Sequence, residues 1–431
     1  MRHGVVIVLL LRIRCSNRPP PSALGVSFWK PVWIEFIFLA TAFICRDAIS
    51  AAIRDEEASK GLLDGSSSFG YLAGKCGIDF KDMKILARIV VIVVGFRNEA
   101  DIVDCLRALS RAQPEPTFEV FIAENGGPAA MNALVNVLAA DRSPCRPVSE
   151  PELPIDSAVM RRRRLFRLAG ADDNPGSRVH IAEMTENLGY AGAINAWLRP
   201  LLQIPGWEGA WILNPDTEPS PSALAELVAY SVRRAKGMVG SCTTSMSHPD
   251  RVHSRGLAWR KLVAKSLAVD YHAPISPAPD PDDVEARLNA PSGASIYVTR
   301  DLIRQIGLMD ERYFLYFEDL EWGCRAKHMG GVGYAHRSVV PHKGGTTIGS
   351  AASRAALSPL AVYLEMRNRI LFVRDRYPAW LPWTVLMQIV HAAAFGAVGA
   401  FKNMAMGFRG IVAGISGEVG RPDRILKAHK H

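Results

Sequence analysis

The chain has 431 residues, 48% of them hydrophobic, and a formal net charge of +9. That length supports two or three domains with a sizeable core, and the apolar content excludes a chain disordered throughout. Seven scattered cysteines without a CxxC pair argue against structural zinc and suit a reduced compartment, while the positive charge points to an anionic partner: nucleic acid, a lipid surface or a phosphorylated substrate.

Residues 1–82 differ in character from the rest. The opening apolar run resembles a signal peptide, but Arg12, Arg14 and Arg18 follow where a cleavage site needs small residues. Residues 32–45 are apolar but short for a membrane span and interrupted by Glu35, and residues 61–77 are Gly/Ser-rich linker material. These residues read as an N-terminal appendage, and a chain beginning at Met83 is expected to fold and keep its activity.

From residue 85 the pattern alternates strand and helix. Residues 89–94 are a continuous β-branched run, as in a strand buried on both faces, and end in Gly95-Phe96-Arg97-Asn98-Glu99. Residues 100–112 then carry Ile102, Val103, Leu106 and Leu109 on one helical face. A second strand, 118–123, ends in Glu124-Asn125-Gly126-Gly127 and leads to a helix over 128–139. Such βαβ units predict an α/β fold whose ligands bind beyond the carboxyl ends of the strands. Residues 143–175 break the rhythm, and Arg161 to Arg164 read as a solvated insertion loop or as an anion-binding patch, the loop reading being preferred.

A third strand, 179–183, precedes Glu186-Asn187-Leu188-Gly189-Tyr190-Ala191-Gly192-Ala193-Ile194-Asn195, whose glycines permit close backbone approach at a helix start. A fourth, 211–213, ends in Asn214-Pro215-Asp216-Thr217-Glu218. Short acidic and amide side chains there suit a divalent cation, and they equally suit a turn. Residues 292–325 combine a strand with an aromatic run, Tyr313 to Phe317, and the acids Glu318, Asp319 and Glu321. That pattern fits either a partly dry catalytic wall or acids complementing a helix dipole.

In order, the segments 95–99, 123–127, 186–195, 213–217, 292–301, 317–325 and 339–345 resemble the motifs of family 2 glycosyltransferases, most closely the rhamnosyltransferase-like branch. The resemblance spans residues 84–376 and continues more weakly to 420. It implies a GT-A fold, a Rossmann-like and mostly parallel sheet flanked by helices, over a catalytic domain at 83–350, followed by a C-terminal apolar helical region at 351–431. It implies sugar transfer with inversion, the sugar being rhamnose or a related one, from a nucleoside-diphosphate donor to a hydroxyl of a glycan or lipid-linked acceptor in surface polysaccharide synthesis.

Carried over by position, Phe96, Arg97, Glu99, Glu124, Asn125, Asn187, Gly189, Asn195 and Asn214 would meet the donor. The family usually has Asp-Asn where this chain has Glu124-Asn125. Asp216 and His342 would hold Mg2+ or Mn2+, and Lys343 and Arg367 would face the phosphates. Asp319 matches the family's base, Glu318 its supporting acid, and Glu321, where the family often has Asp, an acceptor contact. His336, Asp310 and Glu311 are read as structural.

Beyond Pro378 the apolar, tryptophan-containing segments fit an interfacial pair of helices lying on a membrane rather than a span, or else a soluble hairpin packed on the catalytic domain or making a dimer contact. The resulting picture is a cytoplasmic enzyme peripheral to the inner face of the cell membrane, with no nucleic-acid partner and compatible with a homo-oligomer. Two other functions share some of these features: a metal-dependent nucleotidyltransferase, and a noncatalytic basic protein that binds lipid or nucleic acid.

Overall fold

The computed structural model describes residues 87–149, 153–155, 157–169, 176–344 and 356–428. The expectations for residues 1–82, including the start at Met83, lie outside these. The first half of the described chain runs β1 (Ile89–Gly95), α1 (Glu99–Leu109), β2 (Phe118–Glu124), α2 (Pro128–Leu138), β3 (Cys145–Pro147), β4 (Met160–Leu168), β5 (Arg178–Met184), α3 (Gly189–Leu201) and β6 (Gly209–Leu213). It continues through α4 (Ala223–Arg234), β7 (Met238–Ser245), β8 (Val252–Ser254), β9 (Leu257–Arg260), β10 (Lys265–Ala268), α5 (Pro281–Arg287), β11 (Ser295–Thr299), α6 (Arg300–Ile306), α7 (Glu318–Met329) and β12 (Val332–His342). Four helices follow: α8 (Pro359–Arg376), α9 (Leu381–Gly396), α10 (Phe401–Ser416) and α11 (Asp423–Ala428).

The strands form one mixed sheet in the order β12-β7-β11-β6-β1-β2-β5-β4-β3, with β8 on β7, while β9 and β10 make a separate hairpin. Its centre, β6-β1-β2-β5, is parallel throughout. Strand β11 enters antiparallel between β6 and β7, and β4 and β3 extend the other edge antiparallel. The β-branched run of β1 is buried on both sides because alternate residues serve opposite layers. Val90 and Ile92 pack with Trp197 of α3, whereas Ile89, Val91 and Val93 pack with Ile102 and Leu106 of α1. The parallel centre brings the carboxyl ends of β1, β2, β5 and β6 to one edge, where their loops meet.

One segment departs from expectation. Arg161 to Arg164 lie in β4 rather than in an insertion loop, paired antiparallel with β5. Arg162 donates to the buried Glu183 at 2.5 Å, and Arg163 donates to the Leu153 carbonyl at 2.8 Å. Four successive arginines hide the two-residue period, but among the described residues this stretch of β4 pairs with β5 alone, and there the long stems can reach partners or water.

The C-terminal helices belong to the same unit as the sheet. Glycines let α10 approach α8: a Cβ at Gly410 would lie 2.4 Å from the Tyr363 carbonyl oxygen, and one at Gly414 would lie 2.9 Å from that of Arg367.

Candidate active site

A cleft of about 440 Å³ opens at the carboxyl edge of the sheet. Its walls include Phe96 after β1, Asn125 after β2, Asn187, Gly189 and Tyr190 around the start of α3, Asn214 to Asp216 after β6, His342 at the end of β12, and Phe314 to Tyr316. Loops from across the sequence meet there because the strands before them are neighbours.

Two side chains hold the loops together. Asn125 Nδ2 donates to the Gly189 carbonyl at 2.9 Å, and its Oδ1 accepts from the Leu188 amide at 3.2 Å. Glu124 accepts from the Gly126 amide at 2.7 Å and the Arg97 amide at 3.3 Å. Burial raises the Glu124 carboxyl above its ordinary pKa, against the pull of those two amides. Glu124 is therefore a strut between two strand-end loops, which corrects the expectation that it touches the nucleotide. Arg97 and Glu99 also lie off the cleft wall, and Arg97 instead stacks its guanidinium over Phe96, 5.3 Å from the ring centre. Asn187 accepts from the Gly189 amide at 3.0 Å and lines the cleft.

The loop after β6 is strapped to the end of β12. Asp216 Oδ1 lies 3.2 Å from His342 Nε2, the Lys343 amide donates to the Asp216 carbonyl at 3.0 Å, and Thr217 and His342 form a β-bridge. Burial alone would raise the Asp216 pKa, but the hydrogen bond and charge from His342, with Lys343 nearby, hold it below its ordinary value. His342 Nδ1 is buried with no hydrogen-bond partner among the described residues. An ionised carboxylate facing an imidazole at a cleft wall fits a divalent cation that takes its remaining ligands from phosphate and water. Among the described residues no third His, Cys, Asp or Glu joins them.

Tyr190 connects this loop to the acids. Its hydroxyl lies 2.9 Å from both Asn214 Oδ1 and the Gly293 carbonyl oxygen. The Gly293 amide donates in turn to Asp319 Oδ2 at 3.1 Å, and the Leu320 amide donates to Asp319 Oδ1 at 2.7 Å. A Cβ at Gly293 would lie 2.7 Å from Asp319 Oδ2, so only glycine permits this approach. Burial raises the Tyr190 pKa well above normal, and the charges of Glu318, Asp319 and Asp216 add to the shift. Glu318 is buried with its Oε2 unpartnered among the described residues. Burial and then the Asp319 charge push its pKa well up; burial likewise raises Asp319, against the amides that hold it.

The aromatic run before α7 is strained. Phe314, Tyr316 and Phe317 have φ of 63°, 68° and 75°, a left-handed conformation that non-glycine residues adopt at a cost. Asn368 Nδ2 lies 2.8, 2.8 and 2.9 Å from the carbonyl oxygens of Tyr313, Leu315 and Tyr316, and Arg367 donates to Tyr313 at 3.1 Å. The loop also packs onto α3: Tyr190 donates its amide to the Phe314 carbonyl at 2.7 Å, and a Cβ at Gly189 would lie 2.1 Å from that oxygen.

Four further expectations need correction, because three of these side chains are consumed inside the protein and the exposed Lys343 is paired with acids on α1. Arg367 is fully buried and donates to Tyr313, Gly420, Asn368 and Glu418 rather than facing phosphate. Lys343 pairs with Asp101 at 2.8 Å and Asp104 at 3.4 Å on α1. Glu321, the expected acceptor contact, is held by Arg325 at 2.8 Å and by Arg376. Asn195 is buried and bonds both backbone atoms of Met309 and the Glu311 carboxylate. His336, Asp310 and Glu311 have partners within the protein. Tyr190 is a site residue that reading the chain for acids, amides and histidines passed over, whereas Phe314 to Tyr316 come from the aromatic run that the sequence offered as one possible wall.

No family model matches the chain. Over 233 residues it is 26% identical to the N-acetylglucosaminyl-diphospho-decaprenol L-rhamnosyltransferase of Mycobacterium tuberculosis, covering 48% of this chain and 72% of the relative. Over 194 residues it is 23% identical to the low-salt glycan biosynthesis hexosyltransferase Agl10 of Haloferax volcanii, covering 45% and 59% respectively. Among solved structures, a mannosyltransferase from Pyrobaculum calidifontis, in complex with GDP-Man and Mn2+, has 13% identity and a TM-score of 0.43, covering 80% of this chain and 93% of that one. TarS of S. aureus has 12% identity and a TM-score of 0.37, with 64% of its chain covered. With its ordered strand-end loops, its centrally parallel sheet and these curated relatives, the chain is a glycosyltransferase similar to a rhamnosyltransferase and a glycan hexosyltransferase.

Proposed function

We propose that the enzyme transfers rhamnose or a related sugar, with inversion, from a nucleoside-diphosphate donor to a hydroxyl of a lipid-linked glycan, with residues 83–350 as the catalytic body. One observation carries this reading: the Asp319–Gly293–Tyr190–Asn214 relay joins a raised-pKa carboxylate to the cleft that Asp216 and His342 also line.

Phe96, Asn125, Asn187 and Gly189 form the nucleotide side of that cleft, and Asn214 faces the donor sugar. Asp319 is held by two amides at the start of α7, so its carboxylate stays oriented while burial makes it a stronger base than a solvated aspartate. It would accept the proton of the acceptor hydroxyl as that oxygen bonds to the anomeric carbon. The bond from that carbon to the diphosphate oxygen breaks on the opposite face, and the electron pair leaves with the nucleoside diphosphate. Positioned general bases contribute about 10²- to 10⁴-fold to such steps.

Asp216 and His342 are the residues that would hold Mg2+ or Mn2+, which when bound would offset the charge building on the diphosphate. Burial and then the Asp319 charge favour the protonated form of the neighbouring Glu318, which leaves the negative charge to Asp319. A lipid-linked acceptor places the work at the inner face of the cell membrane. The reading is tested by screening the purified protein with Mg2+ or Mn2+ against a panel of nucleotide sugars. A donor that raises the melting temperature and releases nucleoside diphosphate supports it; release of pyrophosphate would indicate nucleotidyl transfer instead.

A further inference from the structure

Helices α9 and α10 are apolar on their outward sides as well as on the sides that pack against the protein. The side of α9 that packs inward carries Thr384 and Gln388, both fully buried, with Gln388 Nε2 donating to the Met366 carbonyl at 2.9 Å. Its outward stripe is apolar: Trp383, Leu386, Ile389 and Val390, with Leu386 and Val390 each 52% exposed. On α10 the outward residues Phe401, Phe408, Val412 and Ile415 recur at helical spacing, Phe401 being 64% and Val412 66% exposed. Soluble surfaces scatter such residues singly; a face made of them calls for a partner.

A second element extends this face. The turn between β9 and β10 presents Leu262, 71% exposed, and the Trp383 indole donates to the Leu262 carbonyl at 2.9 Å. The neighbouring Lys261 lies over the Tyr377 ring, 4.5 Å from its centre. The hairpin tip is thus joined to the start of α9 as one apolar surface.

Charge identifies the occupant. No Asp or Glu occurs between Asp375 and Glu418, or between Asp250 and Asp270, whereas these stretches contain Arg260, Lys261, Lys402 and Arg409, all exposed. A second copy of this chain would bring cations against cations. An anionic lipid surface offers both hydrocarbon for the apolar face and phosphate for the cations. Helix α9 has 16 residues, about 24 Å of helix against a hydrocarbon core of about 30 Å, and no described helix is long and apolar enough to cross a membrane. The helices would lie on the surface, with the exposed Trp383 at headgroup depth.

We infer that the outward faces of α9 and α10, together with the β9–β10 hairpin tip, form a docking surface for anionic phospholipid. Its purpose rests on the lipid-linked acceptor reading; its existence does not.

The test floats the purified full chain with vesicles of phosphatidylcholine alone or mixed with phosphatidylglycerol, at about 0.1 M and 1 M salt, where the screening length falls from about 10 Å to 3 Å. Binding to the anionic vesicles, weakened by salt, is expected. The triple variant Leu386→Ser, Val390→Ser, Val412→Ser should lower affinity at least ~10-fold, as it removes three aliphatic side chains from the buried face. Lys402→Glu with Arg409→Glu should lower it by a similar ~10-fold on anionic vesicles and little on neutral ones. These residues are exposed, so both variants should keep the parent melting temperature and donor turnover.

Absence of vesicle binding by the parent chain would overturn the surface while leaving the transferase reading intact. So would a parent dimer that the triple variant dissociates without any change in vesicle binding. Vesicle binding without any donor turnover would uphold the surface and count against the transferase reading.

Discussion

Replacing Asn368 with leucine, close in volume but without the amide, tests whether the strained aromatic loop is held for the site. The Asn368 amide serves the carbonyls of Tyr313, Leu315 and Tyr316, and Tyr313 keeps other donors in Arg367 and the Leu315 amide. A carbonyl left short of a donor costs about 1–3 kcal/mol if the loop stays in place. That matches the roughly 1–3 kcal/mol stored in each of Phe314, Tyr316 and Phe317, so the left-handed conformation no longer pays its way and the loop should relax. Relaxation recovers part of the loss, leaving a net destabilisation of about 1–3 kcal/mol, or a melting temperature lower by roughly 2–10 °C. Function should suffer more, because Phe314, Leu315 and Tyr316 line the cleft, and Phe314 anchors the Tyr190 amide. A misplacement of about 1 Å costs on the order of 10²-fold, so kcat/KM for diphosphate release should fall by about that factor, measured well below the variant's melting temperature. A variant with lowered melting temperature but kcat/KM within about twofold of the parent would refute this, leaving Asn368 a support of the fold alone.

Three other outcomes follow from the same geometry. Gly293→Ala puts a Cβ 2.7 Å from Asp319 Oδ2 and should lower kcat at least ~10-fold with donor KM little changed; an unchanged kcat would show that Asp319 is not held for catalysis. Glu318 and Asp319 have raised pKa values, and the base must be ionised, so the rate should fall as pH drops through a limb above the ordinary carboxylate range. Glu318→Gln should leave that limb in place, since burial rather than the Glu318 charge raises Asp319, and should add thermal stability chiefly at neutral and higher pH, since a raised folded pKa stabilises below the unfolded value and loses that benefit as pH rises through the folded one; a limb moved to lower pH would show that Glu318 ionises first. Chelation by EDTA should abolish donor turnover and Mg2+ or Mn2+ should restore it, whereas turnover retained in EDTA would remove Asp216 and His342 from the role of metal ligands.

Much of the fold was legible because β1 is a β-branched run and the other central strands are short apolar stretches ending in polar loops, and their order alone implied a sheet with loops gathered at one edge. Strand β4 was not, since arginines with internal partners look in sequence like solvated ones. The same physics limited the reading of the site. Glu124, Asn195, Glu321, Lys343 and Arg367 have the right chemistry for a ligand, but a sequence does not show that neighbouring amides, carbonyls and countercharges consume them. Asp216 and His342, far apart in sequence, are brought together by the pairing of β12 with β7. Tyr190 escaped notice because an aromatic residue at a helix start usually belongs to a core; the adjoining Gly189, forced into a left-handed turn against Phe314, was the available signal.

The central claim is that Asp319 takes the acceptor's proton. Asp319→Asn retains the shape and leaves the side-chain oxygen that meets Gly293 or Leu320 in place, so donor binding, read by thermal shift, should persist. Sugar transfer, read as nucleoside-diphosphate release in the presence of acceptor and Mg2+ or Mn2+, should fall by about 10²- to 10⁴-fold. Turnover within tenfold of the parent, with donor bound, would contradict it.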